Sequence, residues 1–559
     1  MSTDVSTAPT LAAAAAPRPG RRVTPMAWSP DLAGLLPAVR LTVRRVWLGV
    51  AAWLVPLWGL AAAASSYEAA YPSLASRETL IEAMRASAGT RLLYGVLPLP
   101  GTLGQLTQWE IGTYLLVCTG LMSVLLTCRL LRADEDSGRS EVLRGAGVGR
   151  AVPLLAPLIV VGAAVALLAT GIGATLAALH TSFPELTVAG AWALAGTVAV
   201  TGWAMTGLAA LVCQLARSGP GARGLALSAL GASFAVRVLA DETGAARLRW
   251  LSPLAWRDIV EPYTSNRVGP LVACAVAGLL LNGLAAVAYA RREYQSGYLP
   301  DRSASPRRWR VGGHAGLLAR LMAGSAAGWA VAVTAVSALF GAMSGAITDL
   351  LEPGSATAAY VVKMASGSPV RQFMSLLTIL TVLVVVVAAV QRATALAAAE
   401  SDGFVEAEAA TGVGRTRLFV AQAGAALGQG AALLVLSGAV MAWSTSTQVT
   451  ADHAVGRAFV MTVSQLPGLM AAVGIALALV GLAPRWVALV WGVVAWSAFA
   501  QFLGGLVKLP TWAADLSVLG HGLDVVGPMD WGPLAVQTGV GALGLLTGLV
   551  AYRRRDLGA

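Results

Sequence analysis

Long apolar segments without charged residues constrain this chain more than any other feature. Only 12% of its 559 residues are charged and 57% are hydrophobic, whereas about 25% of an ordinary soluble domain is charged. Segments of about 20 apolar residues can cross a bilayer as helices, and the charges cluster between such segments. We therefore predict an all-α integral membrane protein with about twelve transmembrane helices. The windows are Val46–Ala64, Ile111–Cys128, Ala151–Leu179, Leu186–Ala216, Gly224–Ala240, Val268–Ala290, Leu321–Thr348, Gln372–Gln391, Leu418–Ser444, Ala458–Pro484, Trp486–Val507 and Gly532–Tyr552.

The basic residues predict the orientation of these spans. If the amino terminus is cytoplasmic, the cytoplasmic segments hold 27 of the 39 Lys and Arg residues, in agreement with the positive-inside rule. Both termini are then cytoplasmic. Topology also explains the net charge of +11, so the lipid bilayer is the predicted partner and nucleic acid is not. Residues 1–44 are predicted to form a cytoplasmic tail, with Ala38–Arg45 as a lead-in along the membrane surface.

The sequence contains an internal repeat. Residues 135–150 and 400–415 are identical at 7 of 16 positions and both end in Gly-Val-Gly-Arg. At the same spacing, Leu251–Leu254 and Leu516–Leu519 share the pattern Leu-Ser-x-Leu. Parallel repeats of this kind place a pseudo-two-fold axis along the membrane normal, with a pathway between the halves. The predicted units are two pseudo-symmetric six-span halves, residues 45–290 and 321–559, and a basic cytoplasmic linker at 291–320.

The sequence carries no catalytic or nucleotide-binding motif. A P-loop requires a lysine directly after a glycine, and the two lysines, Lys363 and Lys508, both follow valine. The four cysteines lie in apolar runs without metal-ligand spacing, and the four histidines are scattered. We predict no catalytic residue, no metal site and no ATPase activity in this chain.

The two matched loops are the best candidates for a functional site. Each contains Glu-x-x-Gly-x-x-Glu, at Glu135–Glu141 and at Glu400–Glu406. Taken alone, either loop is interpreted as a solvated turn. Two such loops related by pseudosymmetry suit a two-fold partner, and the apolar Val142 and Leu143 are predicted to contact it.

Several motifs together resemble the permeases of the polyketide-antibiotic exporter family of ABC transporters. These are the loop Arg132–Arg150, the segment Trp250–Trp256 followed by Glu261–Tyr263, and Arg291–Arg302. The resemblance covers essentially the whole chain. It implies a type-2 ABC exporter membrane domain in a bacterial plasma membrane, with both halves in one chain. It also implies two copies of a separately encoded ATPase subunit that bind ATP and Mg²⁺, and export of a small hydrophobic substrate of drug or antibiotic type.

The resemblance further assigns roles to residues. Coupling helices, which transmit movement of the ATPase pair to the spans, would contain Glu135, Gly138, Arg139, Glu141 and Arg150, with Glu400, Gly403, Glu406 and Arg415. Spans two, five, eight and eleven would line the substrate pathway, with Tyr114, Phe234, Arg237, Trp491, Trp496, Phe499 and Gln501 as candidates. External re-entrant segments would lie at 241–267 and 505–531, the first containing Trp250, Pro253, Trp256 and Pro262.

Two simpler interpretations of the pathway residues stay open. Arg237 is the one clear charge within a predicted span, and it is either a pathway charge or a residue near the outer surface that pairs with Asp241. Each of the aromatic candidates is either a pathway residue or an ordinary packing residue.

A proton-driven secondary transporter of the major facilitator type is the alternative function. Such a protein also has two six-span halves, and Asp136–Arg139 is similar to part of the loop that follows its second span. The leading glycine of that loop is missing here, however, and the predicted spans lack carboxylates that could carry protons. The ABC permease is therefore the preferred interpretation.

Overall fold

The structure is a computed structural model, and the regular secondary structure of its described residues is helical. It describes residues 30–65, 77–78, 81–82, 85, 91, 93–293, 296–299, 312–350, 369–447, 454–503, 509–523 and 531–555. Within these ranges there is no β-strand. The predicted all-α fold class is confirmed.

The first half contains eight helices that we number. Short turns of 3-10 and α-helix connect several of them, most densely between the fifth span and the sixth. The numbered helices are α1 Leu35–Ala62, α2 Leu103–Trp109, α3 Ile111–Cys128, α4 Arg139–Gly145, α5 Val152–Leu179, α6 Val188–Leu215, α7 Gly219–Thr243 and α8 Val268–Arg291.

The second half repeats this order, but the tenth span of the chain is divided into two helices, α13 and α14. The matched loops lie between α3 and α5 and between α10 and α12, and we call the end of the bundle that carries them the loop side. The helices are α9 Gly313–Leu350, α10 Pro369–Ser401, α11 Phe404–Ala410, α12 Arg415–Ser446, α13 Ala454–Val463, α14 Leu466–Leu482, α15 Val490–Leu503, α16 Thr511–Asp515 and α17 Gly532–Arg554.

Eleven helical segments of the described chain are long and apolar enough to cross a membrane. They correspond to all of the predicted windows except Trp486–Val507. There, a 3-10 turn at Pro484–Leu489 leads into α15, which is described for 14 residues, and residues 504–508 lie outside the described chain. The prediction of about twelve spans is consistent with this count.

The start of the first span differs from the prediction. Ala38–Arg45 is not a separate surface segment, because α1 runs without interruption from Leu35 to Ala62. Its first turns carry exposed arginines, and Ala38 packs against α5 near Val152 and Ala156. The basic lead-in is therefore the loop-side end of the first transmembrane helix.

The two halves use the same scheme of helix packing. In the first, α6 packs most extensively on α8, and α1 packs on α5. In the second, the corresponding pairs are α14 with α17 and α9 with α12. Spans two and four of each half also pack together, as α3 with α6 and α10 with α14. The internal sequence repeat thus corresponds to a repeated arrangement of helices.

Glycines bring α14 and α17 into backbone contact. A Cβ atom at Gly474 would lie 2.4 Å from the carbonyl oxygen of Gly541, and one at Gly481 would lie 2.2 Å from that of Gly548. Neither position has room for a side chain. Small residues allow such close approach between helices in lipid, where packing rather than the hydrophobic effect holds helices together.

A leucine at Gly474 should therefore separate α14 from α17. Overpacking of this kind costs about 1–3 kcal/mol or more, so the Gly474→Leu variant is expected to unfold at a lower temperature than the parent protein in detergent. Gly539→Leu is the matched control, because a Cβ there meets no atom within 4 Å. Equal melting temperatures for the two variants would contradict the backbone contact.

Candidate functional site

The two matched loops fold alike. In each, a glycine with a positive φ angle immediately precedes a helix of seven residues: Gly138, at φ +73°, precedes α4, and Gly403, at φ +77°, precedes α11. Glycine adopts this left-handed conformation readily because it has no Cβ. The glycine halfway between the two glutamates therefore provides the turn that starts each helix.

The first glutamate of each loop is buried in an ion pair with the last span of its own half. The Oε2 atom of Glu135 lies 2.6 Å from Nη2 of Arg292, just beyond α8. The Oε2 atom of Glu400 lies 2.6 Å from Nη2 of Arg555, just beyond α17. In addition, Glu135 accepts a hydrogen bond of 3.0 Å from Arg132. Each loop is thus tied to the end of span six or span twelve.

Sequence reasoning missed these two arginine partners. The sequence did contain a signal, because the sixth and twelfth spans end alike, as Ala288–Glu293 and Ala551–Asp556. That similarity agrees with the internal repeat, but it does not identify the glutamates with which the arginines pair. Charge pairs between distant segments become visible only when the helix packing is known.

The second glutamate of each loop is exposed. Glu141 and Glu406 lie in the first turns of α4 and α11. Beside them, Val142 is 74% exposed and Phe404 is 64% exposed. Leu143 is less exposed, because it is half-buried. Each of the helices α4 and α11 therefore presents an exposed carboxylate beside a large apolar side chain. The two glutamates of a loop have different environments: one is internal and the other faces outward.

The predicted arginines of the loops have unequal surroundings. Arg139 is exposed and lies 3.3 Å from Oδ1 of Asp134. Arg150 is exposed as well, and its carbonyl accepts a 3.5 Å hydrogen bond from the Tyr289 hydroxyl. Arg415 instead donates a 2.5 Å hydrogen bond to the carbonyl of Arg555. The two loops share their glutamates and their glycine, but they differ in the contacts that their arginines make.

The residues just before α1 also contact the first loop. The backbone N–H of Gly149 donates a 2.9 Å hydrogen bond to the carbonyl of Ala33, and that of Ala151 donates to Asp31 at 3.2 Å. A Cβ at Gly149 would lie 2.2 Å from the carbonyl oxygen of Asp31. Only glycine fits at this point of the loop.

On the side opposite the loops, the segment between α7 and α8 folds into the protein. Of its predicted residues, Pro253, Trp256 and Pro262 are buried and Trp250 is 47% exposed. The carbonyl of Pro253 accepts a 2.9 Å hydrogen bond from Thr201 of α6.

Serines hold the equivalent segments of both halves. The hydroxyl of Ser252 lies 2.9 Å from that of Ser233 on α7. In the second half, Ser517 is buried, and the backbone N–H of Val518 donates to Ser497 of α15 at 3.0 Å. Parts of 505–531, namely 505–508 and 524–530, lie outside the described residues. The shared Leu-Ser-x-Leu pattern thus marks the point where each segment attaches to span five or span eleven.

Arg237 and Gln501 both hold backbone segments. Arg237 is 2% exposed, lies 3.5 Å from Oδ2 of Asp241 and donates a 2.9 Å hydrogen bond to the carbonyl of Leu93. Gln501 donates to the carbonyl of Leu519 at 2.9 Å. One of the two interpretations of Arg237 predicts that it pairs with Asp241, and the structure contains this pair.

The aromatic candidates form local contacts rather than one shared cluster. The Tyr114 hydroxyl lies 2.8 Å from that of Tyr94. The ring of Phe234 lies 5.0 Å from the guanidinium carbon of Arg237. The rings of Trp496 and Phe499 are 5.8 Å apart, and Trp491 is exposed on α15.

An ion pair outside the spans is sensitive to pH. Burial alone would raise the pKa of Glu185, but hydrogen bonds from Arg77 and from the Leu103 N–H, with the charge of Arg77, lower it below the ordinary value. Because the pKa of Glu185 is lower in the folded state, its carboxylate stabilises the fold above the unfolded pKa of about 4.3. This stabilisation is lost as the pH falls through the pKa of the folded state.

We therefore expect the parent protein to melt at a higher temperature than a Glu185→Gln variant near neutral pH. This difference should shrink progressively as the pH falls below about 4. Melting curves of both proteins in detergent between pH 3 and 7 provide the measurement. A difference that stays constant over this range would show that Glu185 is not the titrating group.

Comparisons with known proteins give two matches. The family model described as multidrug efflux system permease Rv1217c, C-terminal domain, matches residues 311–553. Over 542 residues the chain is 29% identical to the multidrug efflux system permease protein Rv1217c of Mycobacterium tuberculosis, and the alignment covers 94% of this chain and 95% of that protein.

Together with the helical fold, these similarities identify a multi-span membrane protein that is similar to multidrug efflux permeases over nearly its whole length. Within that class, they confirm the predicted resemblance to the permeases of ABC exporters. The major facilitator alternative receives no support from either match. A bacterial plasma membrane fits both the spans and the similar protein.

Proposed function

We propose that this chain is the membrane subunit of an ABC exporter that moves small hydrophobic, drug-like molecules out of the cell. Two copies of a separately encoded ATPase would bind at the loop side and supply the energy. The observation that carries this proposal is the repeated loop, in which a buried Glu–Arg pair stands next to an exposed glutamate. The similarity to a multidrug efflux system permease supports the substrate class.

The exposed part of each loop would form the ATPase-binding surface. On α4 it consists of Glu141 and Val142, and on α11 of Glu406 and Phe404. A carboxylate beside an apolar side chain suits a partner groove with a cationic rim, since the apolar group gains affinity on burial and the charge fixes the orientation. Because the apolar residues and the cationic contacts differ, the two loops would bind the ATPase pair unequally.

The buried part of each loop would transmit the movement. When the ATPase subunits close, α4 and α11 would be displaced. The Glu135–Arg292 and Glu400–Arg555 pairs would carry that displacement to α8 and α17. These helices are the closest neighbours of α6 and α14 within their halves, so the movement would pass into the interior of the bundle.

ATP and Mg²⁺ would be held entirely by the partner. The chain lacks a P-loop lysine, so its own contribution to the energy supply is mechanical. Its residues transmit the displacement and shape the pathway, whereas phosphoryl transfer takes place in the ATPase.

The substrate pathway would run between the halves along spans two, five, eight and eleven. Tyr114, Trp491, Trp496 and Phe499 would offer apolar surface to a hydrophobic substrate. Arg237, with Phe234 against it, would act at the outer end, where it holds the backbone at Leu93. Gln501 would act there as well, where it holds the second re-entrant segment at Leu519. Export would then require these segments to move.

The function can be tested by reconstitution with the ATPase encoded beside this chain. We expect hydrophobic dyes to stimulate ATP hydrolysis by the complex and to accumulate in inside-out vesicles when ATP is present. A complex whose ATPase lacks its P-loop lysine is the control. Dye movement driven by a proton gradient, by this chain without any ATPase, would overturn the proposal.

A further inference from the structure

A cavity of about 330 Å³ lies beneath the first loop. Helices α1, α5, α6 and α8 surround it, and α4 covers it on the loop side. Its volume is within the range of ligand pockets, about 300–1,000 Å³. The coupling role proposed above uses the Glu135–Arg292 pair in the wall of this cavity but not the space that the cavity encloses.

The lining of the cavity is amphipathic. Aliphatic side chains of α1 and α5, among them Leu41 and Ala156, form its apolar wall. Six charged side chains line the cavity as well, and four of them are arginines against two carboxylates, so their formal charge is +2. The charged residues are Arg45, Arg132, Arg139, Arg292, Asp134 and Glu135.

Gln214 provides a polar group that the protein leaves available. It is 2% exposed, and its Nε2 donates a 2.9 Å hydrogen bond to the carbonyl of Ala210. Its Oε1 is buried at the cavity and accepts no hydrogen bond from the described residues, and Nε of Arg292 likewise has no acceptor there. Buried polar atoms are nearly always paired, so an unfilled acceptor and an unfilled donor in one cavity point to a ligand.

We propose that this cavity binds an anionic phospholipid from the leaflet on the loop side, with a free hydroxyl on its head group. The phosphate would lie among the arginines, and the hydroxyl would donate to Oε1 of Gln214. One acyl chain would follow the apolar wall and leave beside Leu41, which is 57% exposed on α1. The chain's own lining carries this inference, which does not rest on the proposed transport function.

The site is confined to the first half. At the repeat spacing of 265, the position of Gln214 is occupied by Leu479 and that of Arg132 by Ala397. The acceptor and one of the arginines are therefore missing from the second half. A lipid bound at this cavity would contact only the first loop, through Arg139 on α4.

Native mass spectrometry of the full chain can test the site. The protein is reconstituted with equal amounts of phosphatidylglycerol and phosphatidylcholine and then released from the bilayer. We expect it to retain phosphatidylglycerol preferentially. Ala156→Phe, which fills the cavity, should abolish this retention, and Gln214→Leu should reduce it about five-fold, as expected for the loss of one hydrogen bond.

The second half supplies the matched control. Ala421 occupies the position equivalent to Ala156, so Ala421→Phe should leave retention unchanged. Equal retention of the two lipids, or unchanged retention in both Ala156→Phe and Gln214→Leu, would overturn the proposal. Loss of a retained hydrophobic dye, rather than of lipid, on filling the cavity would also overturn it, because the occupant would then be a transported molecule.

Discussion

Replacing Glu135 and Glu400 together with glutamine is expected to abolish transport and to lower the stability of the protein. Each substitution leaves a largely buried arginine side chain without its carboxylate, and breaking a buried ion pair in this way costs about 3–5 kcal/mol. The loops would also lose their attachment to α8 and α17. Melting curves in detergent and dye uptake by inside-out vesicles measure the two effects.

The single variants should differ in a defined way. Glu135→Gln removes a carboxylate that pairs with two arginines, Arg132 and Arg292, of which Arg132 keeps Asp136 at 3.7 Å. Among the described residues, Glu400 pairs with Arg555 alone. We therefore expect the larger loss of stability in the first half. Removing both members of the second pair, with Glu400→Gln and Arg555→Gln, should restore part of the stability, as a double-mutant cycle would reveal. Additive losses would contradict direct pairing.

A double change of Glu141→Ala with Glu406→Ala should give the opposite combination of effects. Both side chains are exposed, and surface substitutions change stability by only about 0.5 kcal/mol. Coupling free energies between sites are typically about 1–3 kcal/mol, so we expect transport to fall about ten-fold while the complex still hydrolyses ATP. Dye uptake and hydrolysis, measured on the same vesicles, give the ratio of the two activities.

Asp402→Ala is the control for this double change. Asp402 is an exposed acid in the second loop, but it precedes Gly403 and lies outside α11. Its replacement should leave the ratio of transport to hydrolysis close to that of the parent protein. Unchanged transport in the double variant would remove α4 and α11 from the coupling role.

Much of the fold could be predicted from the sequence because its signals are local. A long apolar segment must be helical in a bilayer, where every backbone hydrogen bond has to be satisfied within the segment. The positions of the spans follow from local composition, and the internal repeat follows from identical residues at a fixed spacing. Gly138 and Gly403 were found in the same way, because a short pattern fixes each of them halfway between two glutamates.

The contacts that define the site could not be predicted, because they join distant parts of the chain. Glu135 and Arg292 are 157 residues apart, and Glu400 and Arg555 are 155 apart. From the sequence alone, the two glutamates of each loop have a single predicted role, whereas in the structure one lies in a buried ion pair and the other is exposed. Likewise, the sequence leaves Arg237 as either a pathway charge or a residue paired with Asp241, and its contacts with Asp241 and with the carbonyl of Leu93 are visible only in the folded chain.

The contact between Gly149 and Asp31 has a mechanical consequence. A body attached at one point can pivot in any direction, whereas a second attachment restricts it to rotation about the line between the two points. The first loop is attached to the last span of its half through Glu135 and to the start of the first span through the backbone at Asp31 and Ala33. A fluorophore placed at Ala33 would therefore report the tilt of α4 during ATP turnover without altering the surface that α4 presents to the solvent.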